Sequence, residues 1–370
     1  MLPVLLPADH LSRCYSASYA EAQQKFKQHA CDHAQHSAYR EFVYREKGPA
    51  NEKLFTTTAW LGDSNASRVL VLQSATHGVE GFAGSAIQVD TLTRLGETTL
   101  PDDMALLFIH ALNPYGFAWL RRVNENGIDL NRNFIDFNKD TPTNPGYAEL
   151  ATDLLPASEQ DWPAADSRLQ AYRETHGQLA YELAVSGGQY AFADGLFYGG
   201  TQASQSRLYL EQILRNFELT QRQQVAVIDL HTGLGPFGYG EIICDHPPDS
   251  AGVNWAKRVY GQSVTEPLLG SSSSVPKQGL VDYLWHDSLG DRVCFVTLEF
   301  GTYSVERMFA ALRADHALHR TCFEWDTPQA QAVKQQIRNN FYPATSDWQE
   351  MVLLRGRQVI QQAIHGLSET

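Results

Sequence analysis

The chain of 370 residues is long enough to bury a large core, and its 43% hydrophobic and 19% charged content is ordinary for a globular protein. The formal net charge of −13 argues against nucleic acid or an anionic membrane surface as a partner. No apolar stretch of the sequence reaches the length that a membrane-spanning helix needs.

The five cysteines are an odd number, lie far apart and include no Cys-x-x-Cys pair. This usage is typical of a reducing compartment, in which thiols serve as small core side chains. The apolar segment at residues 1–6 lacks the basic stretch of a secretory signal, and Pro7 ends it. We therefore expect a soluble, cytoplasmic protein.

Apolar strands alternate with helices along most of the chain. Strands are expected at residues 54–60 and 68–74, and a helix at 81–95 separates them from a third strand at 104–110. A strand, a helix and a second strand of buried composition predict a parallel pair with a crossover. Further strands and the closing helices are expected at 225–233, 239–244, 293–301, 305–323, 329–339 and 347–364.

No internal repeat or linker divides this pattern, so residues 1–370 are predicted to form one α/β domain. We expect a mixed, mostly parallel twisted sheet with helices on both faces. An N-terminal helical extension over about residues 1–50 and a helical insertion over about residues 138–220 would extend it. The glycine- and aromatic-rich loop at 187–200 is equally consistent with a binding rim and with a packed connection.

A histidine and a glutamate follow the apolar strand at 68–74. His77 and Glu80 lie between this strand and the helix at 81–95. Open α/β sheets bind their ligands at the carboxyl ends of strands. An imidazole nitrogen and a carboxylate oxygen are two of the three protein ligands that a catalytic zinc site needs.

Two later strands also end in side chains that suit such a site. The strand at 225–233 delivers His231, and the strand at 293–301 has Glu299 as its single charged residue. A carboxylate at the end of a buried strand is costly unless it has a partner. Asp229 is equally consistent with orienting a metal ligand and with capping the strand.

An amide and a guanidinium lie side by side in the string Asp-Leu-Asn-Arg-Asn-Phe at 129–134, as Asn131 and Arg132. The planar guanidinium fork is the side chain best suited to grip a carboxylate. The alternative is a structural arginine that pairs with Asp129 or Asp136.

Together these motifs resemble the zinc metallocarboxypeptidase family, in sequence and in order along the chain. His-Gly-Val-Glu at 77–80 is similar to its metal-ligand pair, and the string at 129–134 is similar to its substrate-carboxylate motif. The segments 229–233 and 297–301 are similar to the third-ligand motif and to the strand of the general base. The resemblance covers about residues 54–320, and the nearest branch is one known only as an uncharacterised domain.

The resemblance implies a carboxypeptidase-like zinc-exopeptidase architecture with one Zn²⁺ per chain. The matched residues divide into metal ligands (His77, Glu80 and His231), a general base (Glu299) and receptors for a terminal substrate carboxylate (Asn131 and Arg132). Arg122 is expected to polarise the scissile carbonyl, although spacing alone does not separate it from Arg121.

The implied function is a zinc-dependent hydrolase that cleaves an amide or peptide bond next to a free carboxylate. Its substrate would be a small peptide or an acyl-amino acid. The family's peptidases have a tyrosine on a loop before the general-base strand, whereas residues 271–278 contain none. A zinc deacylase of N-acyl amino acids, from the same superfamily, is therefore an alternative, and a catalytically inactive binding protein is another.

A separate motif, Ser-x-x-Lys at 274–277, matches the nucleophile pair of penicillin-recognising serine enzymes. It lies at the end of a serine run, in which such matches arise by chance, and no helix start is evident beside it. We expect a flexible loop at this position.

Overall fold

The computed structural model describes residues 6–32, 37–95 and 100–369. The strands within these ranges are β1 (Ser37–Lys47), β2 (Lys53–Gly62), β3 (Arg68–Ser74), β4 (Met104–His110), β5 (Gln224–Gly233), β6 (Gly240–Ile243), β7 (Val264–Thr265) and β8 (Val293–Gly301). The α-helices are α1 (Ala8–Cys14), α2 (Tyr19–Asp32), α3 (Gly81–Leu95), α4 (Pro114–Ala118), α5 (Pro145–Leu154), α6 (Trp162–His176), α7 (Gln178–Ser186), α8 (Gln205–Asn216), α9 (Ala251–Tyr260), α10 (Asp282–Leu289), α11 (Val305–His319), α12 (Pro328–Phe341) and α13 (Ser346–Ser368).

The strands form one mixed sheet in the order β1-β2-β4-β3-β5-β8-β6-β7. The four central strands β4, β3, β5 and β8 run parallel to one another. The pairs β1–β2, β2–β4 and β6–β8 are antiparallel, and β7 runs parallel to β6. The central strands are almost completely buried, as parallel strands covered on both faces must be. The predicted α/β fold with a mixed, mostly parallel sheet is confirmed.

Helices cover both faces of this sheet and build three apolar clusters. One cluster packs α1, α2, α3, α9 and α13 against one face, and a second packs α8 and α10 against the other. The third joins α5 and α7 to α11 and α12, and it includes Val79. Because Val79 lies between His77 and Glu80, the third cluster fixes the carboxyl end of β3 against the helices of the insertion.

The N-terminal segment differs from the sequence prediction. Residues 1–50 were expected to be a helical extension, but β1 lies within them and pairs antiparallel with β2. Phe42 and Tyr44 are buried while Val43 and Arg45 are exposed. This alternation has the period of a half-buried strand. The polar composition of the segment weakens the alternation of apolar and polar residues that predicts such a strand from sequence.

The insertion at about 138–220 contains α5, α6, α7 and α8. Within this insertion, Gly177 separates α6 from α7 with a φ of 85°. Glycine adopts this backbone conformation without the steric cost that other residues incur. Among the described residues, no helix combines the length and the apolar character that crossing a bilayer requires.

His110, at the end of β4, couples the stability of the fold to pH. Its ring is fully buried, stacks on Phe26 at 4.5 Å, and its nitrogens bond Ser85 Oγ at 2.9 Å and Gln23 Oε1 at 3.0 Å. Burial lowers the pKa of His110 to about 3. The unfolded chain therefore binds a proton below about pH 6.5 that the folded chain excludes, and the stabilisation is lost as pH falls from there towards 3.

We expect the unfolding free energy to fall by about 1.4 kcal/mol per pH unit through His110 alone between pH 6 and 4. Denaturant titrations of the wild type and His110→Gln at several pH values measure this, because glutamine keeps polar contacts and cannot titrate. A plot of the unfolding free energy against pH should have a shallower slope for His110→Gln, by the amount that corresponds to one bound proton. His365→Gln, at an exposed position on α13, is the control and should keep the wild-type slope. Equal slopes in all three proteins would contradict the assignment.

Candidate metal centre

The carboxyl ends of β3 and β5 deliver two histidines to one place. After β3, Ala75 turns the chain with a φ of 56°, and His77 precedes the short helical turn Gly78–Glu80 that leads into α3. A Cβ on Gly78 would lie 2.0 Å from the backbone of Gly116, so only glycine allows this approach. His231 lies on β5, directly beside β3 in the sheet.

His77, Glu80 and His231 form one compact, buried group. Nδ1 of His77 lies 2.9 Å from Glu80 Oε1, and Nδ1 of His231 lies 3.1 Å from Glu80 Oε2. The two Nδ1 atoms are 3.1 Å apart. The structure thus brings together the three predicted metal ligands, with one ligand atom from each within 4.8 Å of the others.

A carboxylate contacts the Nε2 atom of each histidine, the ring nitrogen that faces away from Glu80. Nε2 of His77 lies 3.2 Å from Asp129 Oδ1, and Nε2 of His231 lies 2.7 Å from Asp229 Oδ2. Thr76 donates its hydroxyl to Asp229 at 2.9 Å. Carboxylates in this position fix the tautomer of a metal-binding histidine and leave the other ring nitrogen free to bind metal. Of the two roles considered for Asp229, the geometry favours orientation of His231.

The electrostatics of the group favour a bound cation. Burial alone would raise the pKa of Glu80, but His77 and His231 outweigh burial and lower it. Burial alone would lower the pKa of His231, but Asp229 and Glu80 hold it well above its ordinary value. Two imidazoles and a carboxylate that face one buried point are a donor set that suits a divalent metal such as Zn²⁺.

Glu299 lies on the wall of the same cavity. Its backbone pairs with that of His231 across the parallel strands β5 and β8, and its side chain is 7% exposed. Oε1 accepts a hydrogen bond from the backbone nitrogen of Leu234 at 2.9 Å. Burial, and then the charge of Glu80, raise the pKa of Glu299 to about 7. A carboxyl group with a pKa near neutrality can both accept and return a proton.

The two adjacent arginines, Arg121 and Arg122, bind different partners. Arg122 lines the cavity and donates to Asp129 Oδ2 at 2.9 Å and to Glu80 Oε1 at 3.3 Å. Arg121 instead donates to the buried Asp315 at 2.9 Å. The structure therefore brings Arg122, and not Arg121, to the His77–Glu80–His231 group.

Asn131 faces the cavity, whereas Arg132 is buried outside it. Asn131 lines the cavity, and its Oδ1 accepts from the backbone of Val281 at 2.8 Å. Arg132 is completely buried, and its Nη atoms donate to the carbonyls of Asn131 and Ser186 at 2.5 and 2.6 Å. The sequence predicts a guanidinium open to substrate, whereas the structure covers it with these carbonyls and with the ring of Phe197.

The loop at 187–200 holds the turn that carries these residues. Tyr190 donates its hydroxyl to the carbonyl of Arg132 at 2.7 Å, and the carbonyl of Tyr198 accepts from the backbone of Asp129 at 2.8 Å. Phe197 lines the cavity, 5.2 Å from the guanidinium carbon of Arg122. The loop is thus a packed connection that contributes one aromatic ring to the site.

The serine run at 271–274 is tied to the sheet, unlike the flexible loop expected from its composition. Glu241, on β6, accepts from the hydroxyls of Ser272 and Ser273 and from the backbone of Ser273. Lys277 follows this run, lines the cavity and contacts the hydroxyl of Ser274. Sequence reasoning missed Glu241 because β6 and the serine loop are remote along the chain.

The cavity, together with the solvent-open space at its mouth, measures about 690 Å³. No tyrosine lines it among the described residues. Its polar lining residues, apart from the predicted ones, are Glu182, Ser186, Thr232, Asp245, Ser273, Ser274, Lys277 and Thr297. Asp129 contacts His77 Nε2, whereas the sequence predicts for it only a pairing with Arg132; its place in the motif at 129–134 is the signal that marks it as a site residue.

A second group of potential ligands, His10, Cys14 and Asp90, lies where α1, α3 and α13 meet. Arg357 occupies it, because its guanidinium donates to both carboxylate oxygens of Asp90 at 2.7 and 2.8 Å and contacts His10 Nε2 at 2.8 Å. Burial also raises the pKa of the Cys14 thiol to about 12, which disfavours the thiolate that binds metals. This group links helices and is a poor metal site.

Comparison with solved structures identifies the fold. Carboxypeptidase A from Helicoverpa armigera is similar with a TM-score of 0.51 and 13% identity, over 95% of this chain and 75% of that one. Succinylglutamate desuccinylase from Chromobacterium violaceum is similar with a TM-score of 0.37 and 15% identity, over 86% and 74%. The first match confirms the predicted carboxypeptidase-like architecture, and the second is too distant to support an argument.

Comparison with sequences gives a family. No curated protein matches the chain. A family model described as "Protein of unknown function (DUF2817)" matches residues 15–355. The prediction of an uncharacterised branch with the carboxypeptidase-like fold is thereby confirmed, and the chain belongs to the DUF2817 family.

Proposed function

We propose that the protein is a zinc-dependent hydrolase that cleaves an amide or peptide bond next to a free carboxylate. One observation carries the proposal: Glu299, a buried carboxylate with a pKa near 7, shares a cavity with the His77–Glu80–His231 group and with Arg122. A base, a metal site and a cation around one cavity are the parts that amide hydrolysis requires.

Each residue has a distinct task in this proposal. His77, Glu80 and His231 hold one Zn²⁺, which when bound supplies Lewis-acid activation. Glu299 takes the proton of the attacking water and returns it to the leaving amine. Arg122, held by Asp129, stabilises the negative charge that develops on the scissile carbonyl oxygen.

Deacylation of N-acyl amino acids is the second candidate. It is favoured by the cavity lining, which contains no tyrosine among the described residues, whereas the peptidases have a tyrosine on the corresponding loop. The nearby Tyr283 donates its hydroxyl to the carbonyl of Lys277 at 3.2 Å and so serves the loop. Metal analysis of the purified protein, with parallel assays on peptides and N-acyl amino acids, tests both candidates. A metal-free, inactive protein would leave a binding role.

Recognition of the free carboxylate yields a prediction about Asn131 and Arg132. One amide substrate, assayed as the free acid and as its C-terminal amide, should show a preference for the acid of about 100-fold or more in kcat/KM. Binding of the carboxylate by Arg132 requires its guanidinium to exchange the carbonyls of Asn131 and Ser186 for the substrate, whereas Asn131 already lines the cavity. Arg132→Ala should abolish the preference, and Arg132→Lys, which keeps the charge without the fork, should keep part of it.

Because Arg132 is buried, an unchanged preference for the acid in Arg132→Ala would also be informative. If Arg132→Ala keeps the full preference for the acid, the guanidinium serves only the carbonyls of Asn131 and Ser186. Equal rates of the wild type on acid and amide would remove carboxylate recognition from the proposal.

A further inference from the structure

A second cavity, separate from that of the candidate metal centre, is lined by charges of both signs. Its cations are Arg121 and Arg320, its carboxylates are Glu125 and Asp194, and none of the four lines the cavity of the metal centre. Within the described part of the chain, no ion pair joins one of these four residues to another. With the solvent-open space at its mouth, the second cavity measures about 1070 Å³, which is ample for a small molecule.

The wall of the second cavity holds one buried positive charge more than it balances. Nε of Arg121 donates to Asp315 Oδ2 at 2.9 Å, and Lys334 pairs with Oδ1 of the same carboxylate. Lys334 and Arg121 outweigh burial and lower the pKa of Asp315, so one negative charge serves two cations. Burial, and then the charge of Arg121, lower the pKa of His316 to about 4 and that of His319 to about 3. Both imidazoles are therefore neutral at pH 7, and the positive charge remains in surplus.

The guanidinium of Arg121 can offer this charge to a ligand. Arg121 is 5% exposed, and among the described residues only its Nε has an acceptor. The two Nη atoms form a fork that binds a carboxylate through parallel, charge-assisted hydrogen bonds. Asp315 already holds the guanidinium from its Nε side, so a ligand would bind it without the cost of ordering a flexible side chain.

Glu125 offers a negative charge in the same cavity. Its Oε1 accepts from the side chain of Asn126 at a long 3.4 Å, and its buried Oε2 has no partner among the described residues. Burial raises the pKa of Glu125, as expected for a carboxylate that has no cation beside it. Burial also raises the pKa of Tyr115, on which Arg121 and Glu125 act with opposite sign. The two unmatched charges thus lie near one phenol ring.

We propose that the second cavity binds a free α-amino acid as its zwitterion, with the carboxylate on the Nη atoms of Arg121 and the ammonium on Glu125. A simple anion or cation would meet a charge of its own sign in this cavity as well as an opposite one, which disfavours it. The hydrolysis proposed above releases such an amino acid, but the inference rests on the charges of the second cavity and does not depend on that reaction.

Calorimetric titration with three related small molecules tests the two charge contacts. Alanine carries both charges, propionate carries only the carboxylate, and ethylamine carries only the ammonium. The wild type should bind alanine at least about 10-fold more tightly than either of the others. Equal affinity for alanine and propionate would overturn the zwitterion, and absence of alanine binding would overturn the site.

Substitutions in the second cavity locate the binding. Arg121→Lys keeps a charge for Asp315 but loses the fork, and Glu125→Gln keeps the size of the side chain without its charge. Each should weaken alanine binding by about 10-fold or more. Because Glu125 is only half-buried, its substitution remains a test even if Arg121→Lys fails to fold. Glu306→Gln, at an exposed glutamate that does not line the second cavity, is the control and should bind alanine as the wild type does.

Asn131→Ala separates the second cavity from the cavity of the metal centre, in which a product amino acid would also bind. Alanine binding that depends on Arg121 and Glu125 should persist in Asn131→Ala, whether or not the protein hydrolyses amides. Binding that is lost in Asn131→Ala and kept in Arg121→Lys and Glu125→Gln would overturn this inference and leave the proposed hydrolase intact. Binding that depends on Arg121 and Glu125, in a protein without hydrolytic activity, would overturn the proposed function and leave this inference intact.

Discussion

Glu299→Gln should retain the bound metal and lose about 10²–10⁴-fold in kcat, the range that general acid–base catalysis usually contributes. Glutamine has the size of glutamate, and its amide oxygen can still accept the hydrogen bond from Leu234. The substitution therefore removes proton transfer and leaves the packing of the cavity unchanged. Metal content and steady-state kinetics on the same preparation measure the two effects separately.

The pH dependence of the wild type gives an independent measure of the same group. Burial raises the pKa of Glu299 to about 7, and only the deprotonated form can accept a proton from water. The value of kcat/KM should therefore fall as pH decreases through this pKa. A cation in the His77–Glu80–His231 group favours the carboxylate and shifts this acid limb below 7.

A surface carboxylate provides the control for Glu299. Glu306, at the start of α11, is exposed and pairs with Arg173. Glu306→Gln should keep activity within a few-fold, since exposed ion pairs contribute little. If Glu299→Gln also remains within a few-fold of the wild type, Glu299 serves only to anchor Leu234, and the base lies elsewhere.

The position of the His77–Glu80–His231 group could be predicted because its two histidines are marked locally. His77 and His231 each follow or end an apolar strand, and polar residues are rare in such places unless they have a function. Parallel neighbouring strands bring their carboxyl ends together, so two separate local signals converge on one site. The same reasoning located Glu299, which pairs in register with His231.

The surroundings of the site could not be predicted because they depend on contacts between remote segments. The burial of Arg132 depends on the carbonyl of Ser186, which is 54 residues away. The order of the serine loop depends on Glu241, which is more than 30 residues before it. Composition indicates neither contact.

Substitution of His231 should abolish metal binding. His231→Ala removes one of three ligands and leaves Glu80 with a single imidazole partner, so affinity should fall by more than about 100-fold. The wild type should hold one zinc per chain after dialysis against a weak chelator. Elemental analysis of the dialysed proteins measures the content, and calorimetric titration with Zn²⁺ measures the affinity. Full zinc content in His231→Ala would overturn the assignment.

The carboxylates behind the histidines should give a smaller, graded effect. Asp129→Asn and Asp229→Asn keep a side-chain oxygen near each Nε2 but remove the charge that orients the ring, so affinity should fall by about 10–100-fold. His10→Ala is the matched control, because it removes a histidine from the other potential ligand group, which Arg357 already fills. Its zinc content should equal that of the wild type. If His10→Ala loses the zinc while His231→Ala keeps it, the metal binds where α1, α3 and α13 meet, and the cavity at the ends of β3 and β5 has another use.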